Sequence, residues 1–270
     1  MALYIDALPI SVASYHAARP GIGDPNLEAK LFAVPGVVDD WLQPFGGLAG
    51  KRILDFGCGA GEAAAAIAVG YGATHVHGVD LGSKFTECPA MLGRVFGASG
   101  MPSNLQFSQV RAGSALGEGQ YDVVISWSCI EHVSRETLQT TLTAIHTSLR
   151  QGGVAFIQIS PLYFSPEGSH LRAIGYQAWD HLTRQTSEVL NDICAFAGAD
   201  EARADKMSAM YLTLNRLTAA ELVDRVSRAG FRIDREQRDK TALAPPDALV
   251  QAYSLDALTT EQIVLLLVRD

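Results

Sequence analysis

Residues 53–62 read ILDFGCGAGE, and this stretch restricts the fold more than any other. A short apolar run, KRILDF, suits a strand buried on both faces. Gly57, Gly59 and Gly61 follow at alternate positions. GEAAAAIAVG then has high helix propensity and stops at Gly70. A strand that enters a helix through a bare glycine turn is a unit of parallel α/β architecture and a ligand-binding device. Missing Cβ atoms let a ligand lie against the backbone, and the first helical amides have no partner within the helix.

The chain repeats that rhythm. THVHGVD, NLQFSQV, YDVVISW and VAFIQIS read as further strands. SKFTECPAMLGRVFG reads as a helix, and so does SRETLQTTLTAIHTSLRQGG, with Ser134 as its cap and a double-glycine stop. The alternation predicts βαβ units and a parallel sheet covered on both faces. After Ser160 it breaks. Residues 161–217 carry aromatics and histidines without a strand signal. TAAELVDRVSRAGF then reads as a helix, RIDREQ as a strand and IVLLLVRD as a strongly apolar final strand. The expected class is α/β. The α/β core spans 51–160 and is completed by 218–270. Residues 1–50 form an N-terminal extension, a possible lid with a short helix in LFAVPGVVDDWLQPF. Residues 161–217 form a helical insertion or lid that holds the acceptor site.

The 270 residues are 48% apolar and 19% charged, enough to bury a core without staples. A net charge of −8 with no lysine or arginine run argues against a nucleic-acid groove. Cys58, Cys88, Cys129 and Cys194 have neither metal-ligand nor redox spacing, which suits reduced thiols in the cytoplasm. No basic leader with an apolar core begins the sequence, and no apolar run reaches membrane-spanning length, so a soluble, unexported protein is expected.

The glycine spacing is G-x-G-x-G, whereas a dinucleotide fingerprint needs G-x-G-x-x-G, and position 62 is glutamate. A pyrophosphate at this helix start would meet the Glu62 carboxylate, with Asp55 just before the turn. Such a loop suits an ammonium-bearing ligand without phosphate, and S-adenosylmethionine is one. Asp80 ends the second strand nineteen positions after Gly61. It can accept both ribose hydroxyls, or it caps the helix expected near Ser83.

LDFGCGAGE, GVD, YDVVISWSCIEHV and LRQGG, in this order, resemble the class I S-adenosylmethionine-dependent methyltransferases. The resemblance covers about residues 50–160 well and the end of the chain by pattern. It implies a Rossmann-like, doubly wound sheet of seven strands, the last antiparallel and inserted beside the fifth. It also implies that Asp55, Gly57, Cys58, Gly59 and Gly61 face the methionine part, with Asp80 and Leu81 at the nucleoside. The chain departs from the family after its third strand. No acid stands between Gln109 and Gly117, so Ser114 or backbone near Ala112 replaces the usual adenine partner, or the adenine site is looser.

SWSCIEHV follows the fourth strand, at the sheet edge where open α/β folds bind ligands. Ser126 and Trp127 are expected to border the methyl group. His132 is a candidate base, with an unperturbed pKa of about 6.5; alternatively the Glu131–His132 pair shapes the cofactor pocket or caps a helix. The insertion gathers Tyr163, His170, Tyr176, Trp179 and His181. Tyr163, Tyr176 and Trp179 are candidates for an acceptor pocket, since aromatics with polar tips suit one. The competing reading is that Leu162, Phe164, Leu171 and Trp179 pack a lid. His170 is the preferred base, because Gly168 leaves the chain room to turn it inward. Tyr15 or His16 could close over the cofactor. His75 and His77 share a strand face without a third ligand, and no metal is expected. The expected activity is methyl transfer to a small-molecule acceptor in the cytoplasm, with oxygen the favoured atom. An NAD-dependent oxidoreductase and a non-catalytic S-adenosylmethionine-binding protein are the alternatives. The glycine spacing and Glu62 count against the first, and the retained glycines and Asp80 mean the second has to rest on a lost acceptor site. Acceptor identity and oligomeric state are not legible.

Overall fold

The structure is a computed structural model and describes residues 22–270. Helix α1 (Pro25–Glu28) passes through a π-helical turn, Ala29–Ala33, into α2 (Val34–Leu42). Then come β1 (Arg52–Phe56), α3 (Glu62–Gly70), β2 (His75–Asp80), α4 (Cys88–Phe96), β3 (Leu105–Gln109) and β4 (Tyr121–Trp127). Next are α5 (Arg135–Ser148), β5 (Leu149–Ile159), α6 (Thr186–Ala197), α7 (Glu201–Thr213), α8 (Ala219–Arg228) and β6 (Arg232–Lys240). Two short helices, α9 (Asp247–Ala252) and α10 (Leu255–Thr259), precede β7 (Thr260–Val268). The seven strands lie in the order β3-β2-β1-β4-β5-β7-β6.

The chain forms two compact units. The first takes in the described residues up to Ser126, Ala144–Phe156 and Val268–Asp270; the second takes in Trp127–Thr143 and Ile157–Leu267. In the first unit β1 runs parallel to both β2 and β4, with Asp55 beside Gly78 and Ile125, and β2 runs parallel to β3, with Asp80 beside Gln109. This register puts Asp55, Asp80 and Ser126 at the carboxyl edge of parallel strands. Ile53, Leu54, Val76, Val123, Val124 and Ile125 are buried, as strands covered on both faces require. Helix α3 is buried from Ala64 to Val69, and its small alanines allow close approach to neighbouring elements.

β7 is antiparallel to β5, as the resemblance implies. Gly152 N–H donates to Arg269 O and Leu162 N–H donates to Glu261 O, so one partner's number falls as the other's rises. In the second unit Tyr163, Leu171, Val189, Ile193, Tyr211 and Leu214 form one apolar cluster. Trp179, Leu249 and Leu258 form another.

Three local expectations need correction. The double glycine of LRQGG does not stop a helix. α5 already ends at Ser148, and Gly152 and Gly153 belong to β5, where they pair with Arg269. The helical segment before the core starts at Pro25, well ahead of LFAVPGVVDDWLQPF, because Asp24 caps it by accepting from Asn26 and Leu27 N–H. Helices α9 and α10 fill the stretch between RIDREQ and IVLLLVRD, to which the sequence reading gives no element. Tyr15 and His16 lie outside the described residues.

Candidate active site

The glycine turn is built by β1 and its parallel neighbour. Gly57 and Cys58 N–H both donate to Val79 O, at 2.8 and 3.1 Å. Gly59 N–H donates to Asp80 Oδ2 at 3.0 Å, and Gly82 N–H donates to Asp80 Oδ1 at 2.8 Å. Asp80 thus ties the first turn to the second and caps no helix. Gly57, Gly59 and Gly61 all have left-handed φ, at 81°, 57° and 84°. Their bareness serves different ends. A Cβ on Gly59 would meet nothing within 4 Å, which leaves space for a ligand. A Cβ on Gly61 would overlap the Phe107 ring, which itself stacks on Phe85 with centroids 5.3 Å apart.

Asp55 is 4% exposed, and its Oδ2 has no hydrogen-bond partner. Burial, with Glu62 and Asp80 adding negative charge, raises its pKa to about 7. Ser126, at the end of β4, is fully buried with its Oγ also unpartnered. Two orphaned polar atoms at one sheet edge mark a place for a ligand. Leu81, directly after Asp80, is 60% exposed, an apolar surface beside the carboxylate. Glu62 does not stand alone at the helix start as the sequence suggested: Lys30, carried by the π-helical turn, pairs with it at 3.2 Å. Beside them a cleft of about 530 Å³ is lined by Ala60, Glu62, Lys30, Thr86, Glu87 and Arg94. The carboxyl groups of buried Asp55 and of Glu62 and Asp80, beside a bare glycine turn, fit S-adenosylmethionine, a ligand with an ammonium and no phosphate. Asp55 would take the ammonium, Gly59 would give backbone access, and Asp80 with Leu81 would hold the nucleoside. Ser114 lies in a turn after β3, where its N–H donates to Arg111 O.

The second unit brings its histidines together. His132 follows β4 in a 3-10 turn, Ile130–His132, and its ring meets that of His170 edge-on at 5.4 Å. His132 Nδ1 lies 3.2 Å from Thr213 Oγ1, and His170 Nε2 donates to Pro161 O at 3.4 Å. Burial, with the neighbouring His170, lowers the His132 pKa to about 4; burial also lowers that of His170. Both imidazoles are therefore neutral at pH 7, with a lone pair on one nitrogen each. His181 is buried and donates from Nε2 to Tyr163 O at 2.6 Å.

His170 turns inward for a reason other than the one expected. The left-handed residue is His170 itself, φ 60°, while Gly168 is needed because a Cβ there would overlap the Tyr163 carbonyl. The aromatic candidates divide. Tyr163 is buried, its hydroxyl 3.4 Å from that of Tyr211 and its ring under the Arg216 guanidinium. Tyr176 donates to Asp192 at 2.8 Å. Trp179 is 3% exposed, donates to Leu258 O at 3.1 Å and packs on Leu249, which corresponds to the lid-packing reading. Trp127 is half-buried at the end of β4. His77 lies on β2 as expected, hydrogen-bonded to Tyr121 and Ser108.

Phe107, Lys30, Thr213 and Asn215 were not visible as site residues. Asn215 Nδ2 donates to Ile130 O at 2.6 Å and Val133 O at 3.0 Å, and its N–H donates to Glu131 O. It staples the His132 turn from a position more than eighty residues away, and no local spacing signals that. Among the described residues, no helix is long and apolar enough to cross a membrane. No group of three or more His, Cys, Asp or Glu residues among them could hold a metal ion.

A family model described as a methyltransferase domain matches residues 32–204. The ubiquinone biosynthesis O-methyltransferase of Acinetobacter baumannii (strain ACICU) is 30% identical over 182 residues, 66% of this chain and 71% of that one. Its counterpart in Aeromonas salmonicida is 35% identical over 168 residues, 61% of this chain and 66% of that one. Magnesium protoporphyrin IX methyltransferase from Synechocystis PCC 6803, solved with bound SAH, superimposes with a TM-score of 0.53 at 17% identity, covering 96% of this chain and 94% of that one. A (4+2)-cyclase superimposes with a TM-score of 0.53 at 16% identity, covering 87% of this chain and 80% of that one. At these identities the structures share a fold, and one fold hosts different chemistries.

Proposed function

The chain belongs to the methyltransferase-domain family, and on that premise we propose that it methylates the oxygen of a small hydroxylated molecule. It is an S-adenosylmethionine-dependent enzyme, and that cofactor supplies a methyl carbon already activated by its sulfonium. The protein's work is then placement, which can account for about 7–11 kcal/mol of the barrier. In this reading Asp80 and Leu81 hold the nucleoside, and Asp55 and Gly57–Gly61 hold the amino-acid part. Ser126 and Trp127 border the reacting carbon.

The observation that carries the choice of oxygen is the pair of neutral imidazoles, His132 and His170, 5.4 Å apart. A hydroxyl becomes far more acidic as its oxygen gains carbon. A neutral imidazole then need only be within reach to take the proton, even with a lowered pKa. Tyr163 and Tyr176 are the remaining acceptor-side candidates. The names of the relatives support the same reaction class, and the scattered cysteines support a cytoplasmic setting.

The test is a mass-spectrometric screen with S-adenosylmethionine against hydroxylated aromatics, amines and thiols. A mass gain of one methyl on a hydroxyl is expected. His170→Ala and His132→Gln should each lower turnover more than tenfold while cofactor affinity stays within about twofold. Methylation confined to amines or thiols, or normal turnover in both variants, overturns the reading. Cofactor binding without turnover on any acceptor would instead favour the non-catalytic alternative.

A further inference from the structure

The two imidazoles are not equivalent, and their partners say which nitrogen of each carries hydrogen. A backbone carbonyl can only accept. Pro161 O therefore places the His170 proton on Nε2. For His132 the partner is a hydroxyl, which can both donate and accept, so its single hydrogen must be located.

Thr213 is the last residue of α7, where helix carbonyls run out of amide partners. The amide that would serve Met210 O in a continuing helix is that of Leu214, but Leu214 N–H goes to Tyr211 O at 3.3 Å. Thr213 Oγ1 fills that gap and donates to Met210 O at 2.9 Å, a bond that a helical threonine makes readily to its preceding turn. The hydroxyl has no second hydrogen. At 3.2 Å from His132 Nδ1, its oxygen can only accept.

We propose that Thr213 is a positioning residue, which holds His132 as the Nδ1–H tautomer and so presents Nε2 as its lone-pair nitrogen. The catalytic consequence rests on the reading of His132 as a proton acceptor; the tautomer itself does not. The relation is held in register by Asn215, two residues on, which binds the carbonyls on either side of His132. Arg135 adds to this, donating from Nε to Asn215 O at 2.7 Å and from a terminal nitrogen to Arg216 O at 2.7 Å. The end of α7 and the His132 turn therefore form one hydrogen-bonded body. A change at the Thr213 hydroxyl alters the imidazole without releasing the turn.

The experiment is nitrogen-15 NMR of protein labelled on histidine side chains, with His132 assigned by comparison with His132→Gln. In the wild type, His132 Nδ1 should give a protonated, pyrrole-type signal and Nε2 a pyridine-type signal. Thr213→Val, which keeps the shape and loses the oxygen, should shift His132 toward the other tautomer or a mixture. Thr213→Ser should restore the wild-type spectrum. In turnover assays Thr213→Val should lower kcat at least about tenfold with KM within about twofold, and Thr213→Ser should recover to within about threefold. A wild-type spectrum with hydrogen on Nε2, or an unchanged spectrum in Thr213→Val, overturns the proposal. The expected spectra together with full turnover in His132→Gln uphold the positioning role and overturn His132 as proton acceptor, so the two failures are separate.

Discussion

Glu131 is 4% exposed, and neither of its carboxyl oxygens has a hydrogen-bond partner. Burial raises its pKa from 4.5 to about 8. The sign of the consequence follows from proton linkage. Between those two values the folded chain binds the proton and the unfolded chain does not, so this group's contribution falls as pH rises. Glu131→Gln removes the titration and keeps the shape. Relative to wild type, the variant should gain a few kcal/mol in urea-unfolding free energy between pH 5 and pH 9. Parallel curves for the two proteins would sink the assignment. The histidines act in the opposite sense: His132 and His181, both lowered to about 4 from 6.5, withdraw stability as pH drops below the unfolded value. Asp80 makes a different kind of prediction. It accepts from two backbone amides and, in our reading, also holds the ribose. Asp80→Ala should weaken S-adenosylmethionine binding in calorimetry by at least about tenfold, since hydrogen bonds to a charged group contribute about 1.5–3 kcal/mol. Unchanged affinity would remove Asp80 from the nucleoside site.

At the scale of elements, sequence legibility tracks how local the cause is. The strand, glycine turn and helix of residues 52–70 were legible because apolar run, left-handed glycines and alanine-rich helix all lie within one short stretch. β5 shows the limit. Its double glycine resembles a helix stop, and only pairing with Arg269, more than a hundred residues later, makes it strand. Gly168 was singled out as leaving the chain room to turn His170 inward, yet its cause is a close approach to the Tyr163 carbonyl that the sequence does not display. Asn215 is the same lesson at the site: it holds the Ile130–Val133 turn by hydrogen bonds that span the whole insertion. Asn215→Ala leaves the Ile130 and Val133 carbonyls without that amide donor, which should cost about 1–3 kcal/mol. In that variant, amide exchange at position 215 and around the His132 turn should speed up before that in β1 or β2. Exchange that quickens equally throughout the chain would show that the staple is not local.

At the scale of the molecule, a resemblance carried by a few short motifs implied seven strands with the last antiparallel beside the fifth, while the full order β3-β2-β1-β4-β5-β7-β6 is legible only in the structure. Composition and periodicity alone predicted βαβ units and a parallel sheet covered on both faces, without strand number or order. The cofactor-side candidates Asp55, Gly59, Asp80 and Ser126 belong to the first unit, while Trp127, the last residue of β4, falls in the second with His132, Tyr163, His170, Tyr176 and Trp179. That division makes cofactor binding testable without knowing the acceptor. A ligand that binds only the folded chain stabilises it by mass action, by about 2.7 kcal/mol at a hundredfold excess over Kd. S-adenosylhomocysteine should therefore raise Tm with its concentration, and NAD should not. In hydrogen exchange the added protection should centre on Gly57–Gly61 and Val79–Gly82, whose amides and carbonyls already form the paired turns around Asp80. Protection by NAD at the same segments, with indifference to the sulfonium compound and its thioether product, would mean that Glu62 with its Lys30 partner tolerates a pyrophosphate. In that case the acidic glycine turn would no longer distinguish a methyl-donor site from a dinucleotide site.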